Sequence, residues 1–362
     1  MNSPEKSSEN FVGAVICGAY GFENLGDDAI LAVLIRQLRE ENPGIRICVL
    51  SKNPEQTKRA FGVDAIPMLD FRSAGRVLRK SGLYVSGGGS LLQNVTSSRS
   101  LLFYLASMVQ AKRCGCRVVL YGCGIGPIRG RLFRRLTAEI LNRCADAVTL
   151  RDSGSAALLK EIGVQKQLYL TADPALTIRP DREAAARFLA ENGVNSAGNY
   201  ALFLLRPWKS AAENSEAFHR AAAYVWRKYG LAPAFLPMSP REDTEFAENL
   251  AETLEIPHIL LPACGKPEVF CGIVAQMRLV VSMRLHGLIF AFGQRIPAVG
   301  ISYDPKVSGF LEDTGNSVCV ELEQLSAETL CACMDEALNS PVTDPEPFRA
   351  KAEENARFLR MN

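Results

Sequence analysis

The chain has 362 residues, enough for two domains of ordinary size, and 48% of them are apolar against 22% charged, which provides material for two cores and argues against long disorder. Forty-one Lys and Arg offset 39 Asp and Glu, so no chain-wide field exists to hold nucleic acid, and no nucleic-acid partner is expected. Three histidines, at 219, 258 and 286, are too few for a histidine-built metal site, and the Cys114-Gly-Cys116 and Cys331-Ala-Cys333 pairs lack a second pair at zinc-ribbon spacing.

No metal is therefore expected. The eleven cysteines lie in apolar runs and scattered loops and read as reduced thiols. The polar N-terminus precedes an apolar run far shorter than the roughly 20 residues of a membrane span. Together these predict a cytoplasmic protein.

In chain order, short β-rich apolar runs alternate with longer amphipathic segments, the pattern of βα units around parallel sheets. The first series predicts strands at Val12–Cys17, Ile45–Leu50, Val63–Ile66, Leu83–Ser86, Val118–Tyr121, Ala147–Leu150 and Gln167–Leu170. Helices are predicted at Asp28–Glu40, Ser98–Arg113, Arg131–Cys144 and Ser153–Ile162. Proline and charge interrupt the alternation at Leu176–Asp181. A second series follows, with strands at Tyr200–Leu205, Ala232–Leu236, His258–Leu261, Leu279–Val281 and Ala298–Ile301 and helices at Glu213–Tyr229, Arg241–Leu254, Pro267–Gln276 and Leu285–Gly293. Pro347–Leu359 reads as an amphipathic helix with Phe348 and Phe358 available for docking. The expectation is an α/β protein of two Rossmann-like, doubly wound domains facing across a cleft, at 1–177 and 178–342, with a C-terminal helix in 343–362 that can pack back on the first. Ligands would sit at the carboxyl ends of the strands.

The first strand runs into GAYGFENLGDDAIL, where Gly26 permits close approach of a ligand and Asn24, Asp27 and Asp28 open the next helix. Capping needs one such side chain, not two adjacent carboxylates. These would repel a bare phosphate, so they suit sugar hydroxyls or the positioning of a base; plain capping is the alternative. The fourth strand ends in Gly87, Gly88 and Gly89, whose entropic cost suggests exposed N–H groups at a ligand-facing turn, or else a tight turn packed on its neighbour. YGCGIGPI fails as a dinucleotide fingerprint because its third glycine is misplaced, Pro127 follows directly, and it ends the fifth strand.

Arg151 stands at the carboxyl end of the sixth strand, where it can bind a carboxylate or phosphate in bidentate fashion or simply pair with Asp152. Arg206 ends the first strand of the second series and reads similarly. In LVVSMRLHGLIFAFG a buried strand ends, the turn carries Ser282 and Arg284, and His286 enters the first turn of an apolar helix, where free N–H groups favour anions. Asp304 and Lys306 follow the next strand on the same rim. A core histidine is the alternative for His286; His219 and His258 read as structural or solvent-facing.

GAYGFENLGDDAI, SGGGSLLQ, YGCGIGP, LRDSGS, TADPA and SMRLHGLIFA followed by ISYDPKV resemble, in this order, the polysaccharide pyruvyl transferases, in particular the CsaB-like branch acting on cell-wall polymers. The motifs span residues 12 to about 315, and the RLH and YDPK segments are the most specific. The resemblance implies a GT-B-like fold and transfer of a pyruvyl group from phosphoenolpyruvate to a glycan or lipid-linked disaccharide acceptor. The implied product is a cyclic ketal, commonly across O4 and O6 of N-acetylmannosamine, in cell-wall polysaccharide biosynthesis. It also implies that Arg151, His286 and Lys306, with Arg284 in the same motif, are the functional basic residues. Phosphoenolpyruvate is then a co-substrate and no cofactor is expected. Pro207–Glu216 and Met238–Asp243 are the acceptor-facing regions and match no motif.

Two other classes compete: a GT-B glycosyltransferase using a nucleotide sugar, for which no base-pocket motif is recognised, and a non-catalytic glycan-binding protein. A lipid-linked acceptor would bring the enzyme to the inner leaflet as a peripheral contact. Arg129–Arg135, RGRLFRR, can assist there or be an ordinary solvated face. The sequence carries no signal for oligomeric state.

Overall fold

The computed structural model describes residues 13–95, 97–194, 199–208, 214–316 and 318–361. Val12, Glu213 and residues 209–213 of the segment after Pro207 lie outside the described residues. The chain forms two compact units, one of residues 1–22, 30–174 and 350–362, the other of 23–29 and 175–349.

The first unit holds a seven-stranded parallel sheet in the order β3-β2-β1-β4-β5-β6-β7. Its strands are β1 (Ala14–Cys17), β2 (Ile47–Ser51), β3 (Asp64–Pro67), β4 (Leu83–Gly87), β5 (Arg117–Cys123), β6 (Ala147–Leu150) and β7 (Leu168–Leu170). The central strands β1, β2, β4 and β6 are buried along their whole length, as continuous apolar runs between two helical layers must be. Helices α1 (Leu25–Glu41), α2 (Pro54–Phe61), α3 (Phe71–Leu78), α4 (Ser98–Arg113), α5 (Arg131–Cys144) and α6 (Ser153–Glu161) connect them. The first turn of α1 groups with the second unit.

The second unit repeats the plan with six parallel strands ordered β10-β9-β8-β11-β12-β13. These are β8 (Tyr200–Leu204), β9 (Ala232–Phe235), β10 (Ile259–Leu260), β11 (Leu279–Ser282), β12 (Ala298–Ser302) and β13 (Cys319–Glu321). Its helices are α7 (Arg182–Glu191), α8 (Ser215–Tyr229), α9 (Pro240–Glu252), α10 (Pro267–Val274), α11 (Leu285–Gly293), α12 (Pro305–Thr314), α13 (Ala327–Asn339) and α14 (Glu346–Glu353). Each sheet reverses its winding once, between β1 and β4 and between β8 and β11, and such switch points are where doubly wound sheets hold ligands.

The structure adds α2, α3, α7, α12, α13 and β13 to the elements predicted from sequence. Most of these are short, and caps rather than periodicity set their ends: Asn53 accepts from Gln56 N before α2, Asp70 from Ser73 N before α3, and Asp304 from Lys306 N before α12. The predicted helix 347–359 is divided, with α14 followed by a tighter turn over 354–358. Asn355 is buried there, its Oδ1 accepting from Thr149 Oγ1 at 2.5 Å and Thr171 Oγ1 at 3.0 Å, its Nδ2 donating to Ala172 O at 3.2 Å. Phe348 packs edge-on against Phe292 and Phe358 against Tyr169. The eleven cysteines are free thiols. No described helix is long and apolar enough to cross a membrane.

Candidate active site

In the second unit the switch point places Arg206 just beyond β8 and Arg284 just beyond β11. Arg284 is the N-cap residue of α11, so Leu285 and His286 occupy its first two positions. Ser282 is fully buried; its hydroxyl donates to Arg284 O at 2.7 Å and accepts from Arg284 N at 3.0 Å. Both these bonds serve the turn that aims Arg284.

Arg284 is itself nearly buried. Its Nε donates to Asp243 Oδ2 at 3.2 Å, and Nη2 donates to Asp243 Oδ1 and, at 2.9 Å, to Glu242 Oε2. Asp243, fully buried, also accepts from the backbone N–H of Met238 at 3.2 Å and Ser239 at 2.9 Å. Burial works against the Arg284 charge, but the Asp243 and Glu242 carboxylates outweigh it and raise its pKa. Burial would likewise raise the Glu242 pKa; the Arg284 hydrogen bond and the charges of Arg284 and Arg206 hold it below the ordinary value.

Arg206 extends this network, with Nη2 on Glu242 Oε2 at 3.1 Å and Nη1 on the Tyr303 hydroxyl at 3.0 Å. Its guanidinium lies 5.2 Å from the Trp208 ring centroid and 5.3 Å from that of Tyr303. Lys306, in the first turn of α12, reaches Asp304 at 3.3 Å and stands 5.9 Å from the Tyr303 ring. Asp304 caps the same helix.

The glycine-rich segment meets this group at one point. A Cβ on Gly26 would stand 2.7 Å from His286 Cε1 and nearer still to Nδ1 and Cγ, so only glycine lets the backbone lie on the imidazole. Asn24 Oδ1 accepts from Gly26 N at 3.1 Å, Leu25 N donates to Met238 O at 3.4 Å, and Glu23 faces Arg241 at 3.5 Å. Asp27 is buried. Asp28 is half-buried, and burial, then the charges of Asp27 and Glu23, push its carboxyl up to about 7.

The first unit keeps its own constellation. Arg151 ends β6 with Nη1 on the buried Asp173 carboxylate at 2.8 Å and Nη2 on Ser90 Oγ at 3.0 Å; Asp152 stands at 3.7 Å and caps α6. Gly124 packs against the guanidinium, where a Cβ would come within 2.8 Å. At the turn after β4, Gly88 and Gly89 take φ of +89° and +63°. Gly87 O accepts from the Tyr20 hydroxyl, and a Cβ on Gly87 would strike Leu34 at 2.7 Å. Gly87 and Gly88 thus have a packing reason.

The structure therefore gathers Gly26, Asp27, Asp28, His286, Arg284, Arg206, Asp304 and Lys306 in one unit, and Arg151 with Gly87–Gly89 in the other. Sequence reasoning named Trp208, Glu242 and Asp243 only as parts of acceptor-facing regions, not as partners of the arginines, and missed Tyr303. The only signal for the carboxylates was the adjacent pair in the first turn after Ser239-Pro240, and for Tyr303 its place in the YDPK segment. His219 binds Leu250 O at 3.0 Å and Thr253 Oγ1 at 2.8 Å, and His258 binds Ile256 O at 2.8 Å, both away from this group. Among the described residues no cluster of three or more His, Cys, Asp or Glu is placed to hold a metal.

The family model for polysaccharide pyruvyl transferase matches residues 24–305, from the turn beside His286 to the start of α12. The chain belongs to the polysaccharide pyruvyl transferase family. As a member it is a transferase with a glycan acceptor. Among solved structures this pyruvyl transferase is similar to the UDP-GlcNAc 2-epimerase of Methanocaldococcus jannaschii, at 15% identity over 96% of this chain and 98% of that one, with a TM-score of 0.67. The Neisseria meningitidis UDP-GlcNAc 2-epimerase matches at 11% identity over 96% and 99%, TM-score 0.62. Anabaena HepE, solved with UDP and glucose, matches at 13% over 96% and 97%, TM-score 0.56. These likenesses show a GT-B-like fold of two Rossmann-like sheets. No curated protein matches the pyruvyl transferase chain significantly by sequence.

Proposed function

We propose that this transferase moves the pyruvyl group of phosphoenolpyruvate onto a sugar, N-acetylmannosamine of a lipid-linked disaccharide, as a cyclic ketal in cell-wall polysaccharide synthesis. The observation that carries the reading is the seating of Gly26 against His286 at the switch point of the second unit. It supports an acid–base role for His286, in the RLH segment, because the glycine in contact with it is followed directly by Asp27 and Asp28, carboxylates suited to sugar hydroxyls.

The reaction balances without redox change. A proton added to the methylene carbon of phosphoenolpyruvate makes C2 electrophilic, and one sugar hydroxyl attacks C2 and loses its proton. The C2–O bond to phosphate then breaks, phosphate leaving with its electron pair, and the second hydroxyl attacks C2 to close the ketal, its proton restoring the one given to the methylene carbon. His286 holds and delivers the proton, since an imidazole titrates near neutrality. In the second unit Lys306 binds the phosphate or carboxylate, and the family resemblance gives Arg151, in the first unit, an anion-binding role as well. Arg284, fixed by Asp243, orients the α11 entrance whose N–H groups favour an anion. Asp27 and Asp28 receive acceptor hydroxyls, the latter as a carboxyl poised to exchange a proton near pH 7. No cofactor enters this scheme, and the place of work is the cytoplasmic face of the membrane, where a lipid-linked acceptor is presented.

Incubation with phosphoenolpyruvate and a synthetic disaccharide should release phosphate and yield the acceptor mass plus a pyruvate ketal. Release of a nucleoside diphosphate from a sugar nucleotide, with phosphoenolpyruvate untouched, would overturn the reading. The resemblance to the epimerases is one of fold and does not favour that alternative.

A further inference from the structure

Between Phe71 and Ala138 the chain carries twelve Arg or Lys residues and no Asp or Glu, so the rest of the chain is net acidic. This stretch builds α3, α4 and the first half of α5, which share one core cluster of the first unit; α3 packs on α4 and α4 on α5. Phe71 meets Phe103 edge-on at 5.9 Å, and Gln110 Nε2 donates to Phe71 O at 2.8 Å. The loops entering α4 and α5 are tied, Asn94 exchanging hydrogen bonds with Arg129 N at 2.7 Å and Arg129 O at 2.9 Å.

Each helix shows solvent a large apolar side chain: Phe71 at 45%, Leu102 at 42% and Leu132 at 74% exposure. Arg99, Arg131 and Arg135 are exposed beside them, and among the described residues none is in an ion pair. Arg134, by contrast, is held by Ile128 O and Glu161. A solvated helix face keeps its leucines inward and intersperses carboxylates. Protruding apolar side chains among unneutralised arginines suit the boundary between acidic headgroups and acyl chains.

We propose that the α3–α4–α5 face is a membrane-docking surface that seats on anionic phospholipid, with Leu132 and its neighbours entering the interface and the arginines meeting lipid phosphates. The surface holds none of the residues assigned to the transfer reaction apart from the chain connecting them, so docking stands or falls separately from the chemistry. The test is sedimentation of the full chain with vesicles of phosphatidylcholine alone and of phosphatidylcholine with 30% phosphatidylglycerol.

Binding should require phosphatidylglycerol and weaken at 0.5 M salt. Arg131→Glu with Arg135→Glu should weaken it by at least about 25-fold, taking roughly fivefold for each basic residue at an acidic surface. Leu132→Asp should weaken it by about tenfold or more; an acidic residue in the first turn suits the helix, so the melting temperature should hold. Leu170→Asp, at an exposed leucine on β7, should change nothing. Equal binding to both vesicles, a double charge reversal without effect, or equal loss in Leu132→Asp and Leu170→Asp would overturn the proposal. So would binding to a polyanion such as RNA in place of vesicles.

Discussion

Substituting Gly26→Ala adds a methyl group whose carbon would stand 2.7 Å from His286 Cε1 and closer to two other ring atoms. Packed carbons settle about 3.5–4.0 Å apart, so the imidazole or the first turn of α1 must give by about 1 Å. Two energies then oppose each other. Alanine is better than glycine inside a helix by about 1 kcal/mol, while overpacking costs about 1–3 kcal/mol, leaving a net loss of about 0–2 kcal/mol and a melting shift of a few degrees. Catalysis has no such compensation, because a displacement of about 1 Å in a catalytic group costs on the order of 100-fold. Phosphate release from phosphoenolpyruvate at saturating acceptor should therefore fall about 100-fold in a protein that melts nearly normally. A variant turning over within threefold of the parent would refute the assignment of His286. Collapse of the melting temperature by far more than a few degrees would refute the packing argument.

Asp243→Ala should destabilise the protein by about 3–5 kcal/mol in urea or thermal unfolding, because it strands the nearly buried Arg284 charge and the N–H groups of Met238 and Ser239. Lys306→Met should raise the KM for phosphoenolpyruvate about tenfold or more with little change in melting, since its partly exposed pair with Asp304 adds under about 1 kcal/mol; an unchanged KM would remove Lys306 from the anion site. Asp28 tests the pH linkage. Its folded pKa of about 7 lies above the ordinary value of 3.8, so the native state binds more protons than the unfolded state between these values, and stability falls as pH rises through that window. Asp28→Asn should abolish this slope, converging with the parent near pH 4 and exceeding it above pH 7 by at most about 4 kcal/mol; superimposable pH–stability curves would show the carboxyl to be unperturbed.

The central strands were legible because a parallel strand buried on both faces must be a continuous apolar run, as in Leu279-Val-Val-Ser282. The helix entrance at His286 was legible for a related reason: a polar turn between two apolar runs leaves one place for a helix to start. What sequence could not supply was pairing at a distance. Asp243 lies 41 residues before Arg284, and Gly26 lies 260 residues before His286, so neither contact leaves a local pattern. Short capped helices such as α2 and α3 escaped because their ends are written in single Asn and Asp side chains. At Gly87 the sequence leaves ligand approach and close packing both open, and Leu34 and Tyr20 crowding the same atoms from inside the fold supply the second reason.

The near-zero net charge conceals two different uses of arginine, and salt distinguishes them. At the switch point of the second unit Arg284 has Asp243 and shares Glu242 with Arg206, and Lys306 has Asp304; in the first unit Arg151 has Asp173. Cations so matched create little long-range field, and what they offer a small anion is directed hydrogen bonds from groups already fixed in place. The buried pairs, Arg284 with Asp243 and Arg151 with Asp173, are poorly screened and only the partly exposed Lys306–Asp304 pair weakens with salt, so the KM for phosphoenolpyruvate should change only a fewfold between 0.05 and 0.5 M salt. Arg99, Arg131 and Arg135 have no such partners among the described residues and stand in solvent, where the Debye length shrinks from about 10 Å at 0.1 M to about 3 Å at 1 M. Vesicle binding should accordingly collapse across the salt range that leaves KM nearly constant. A KM that rose in step with the loss of vesicle binding would mean that the anion site works by bulk attraction, and the carboxylate pairing would then need another explanation.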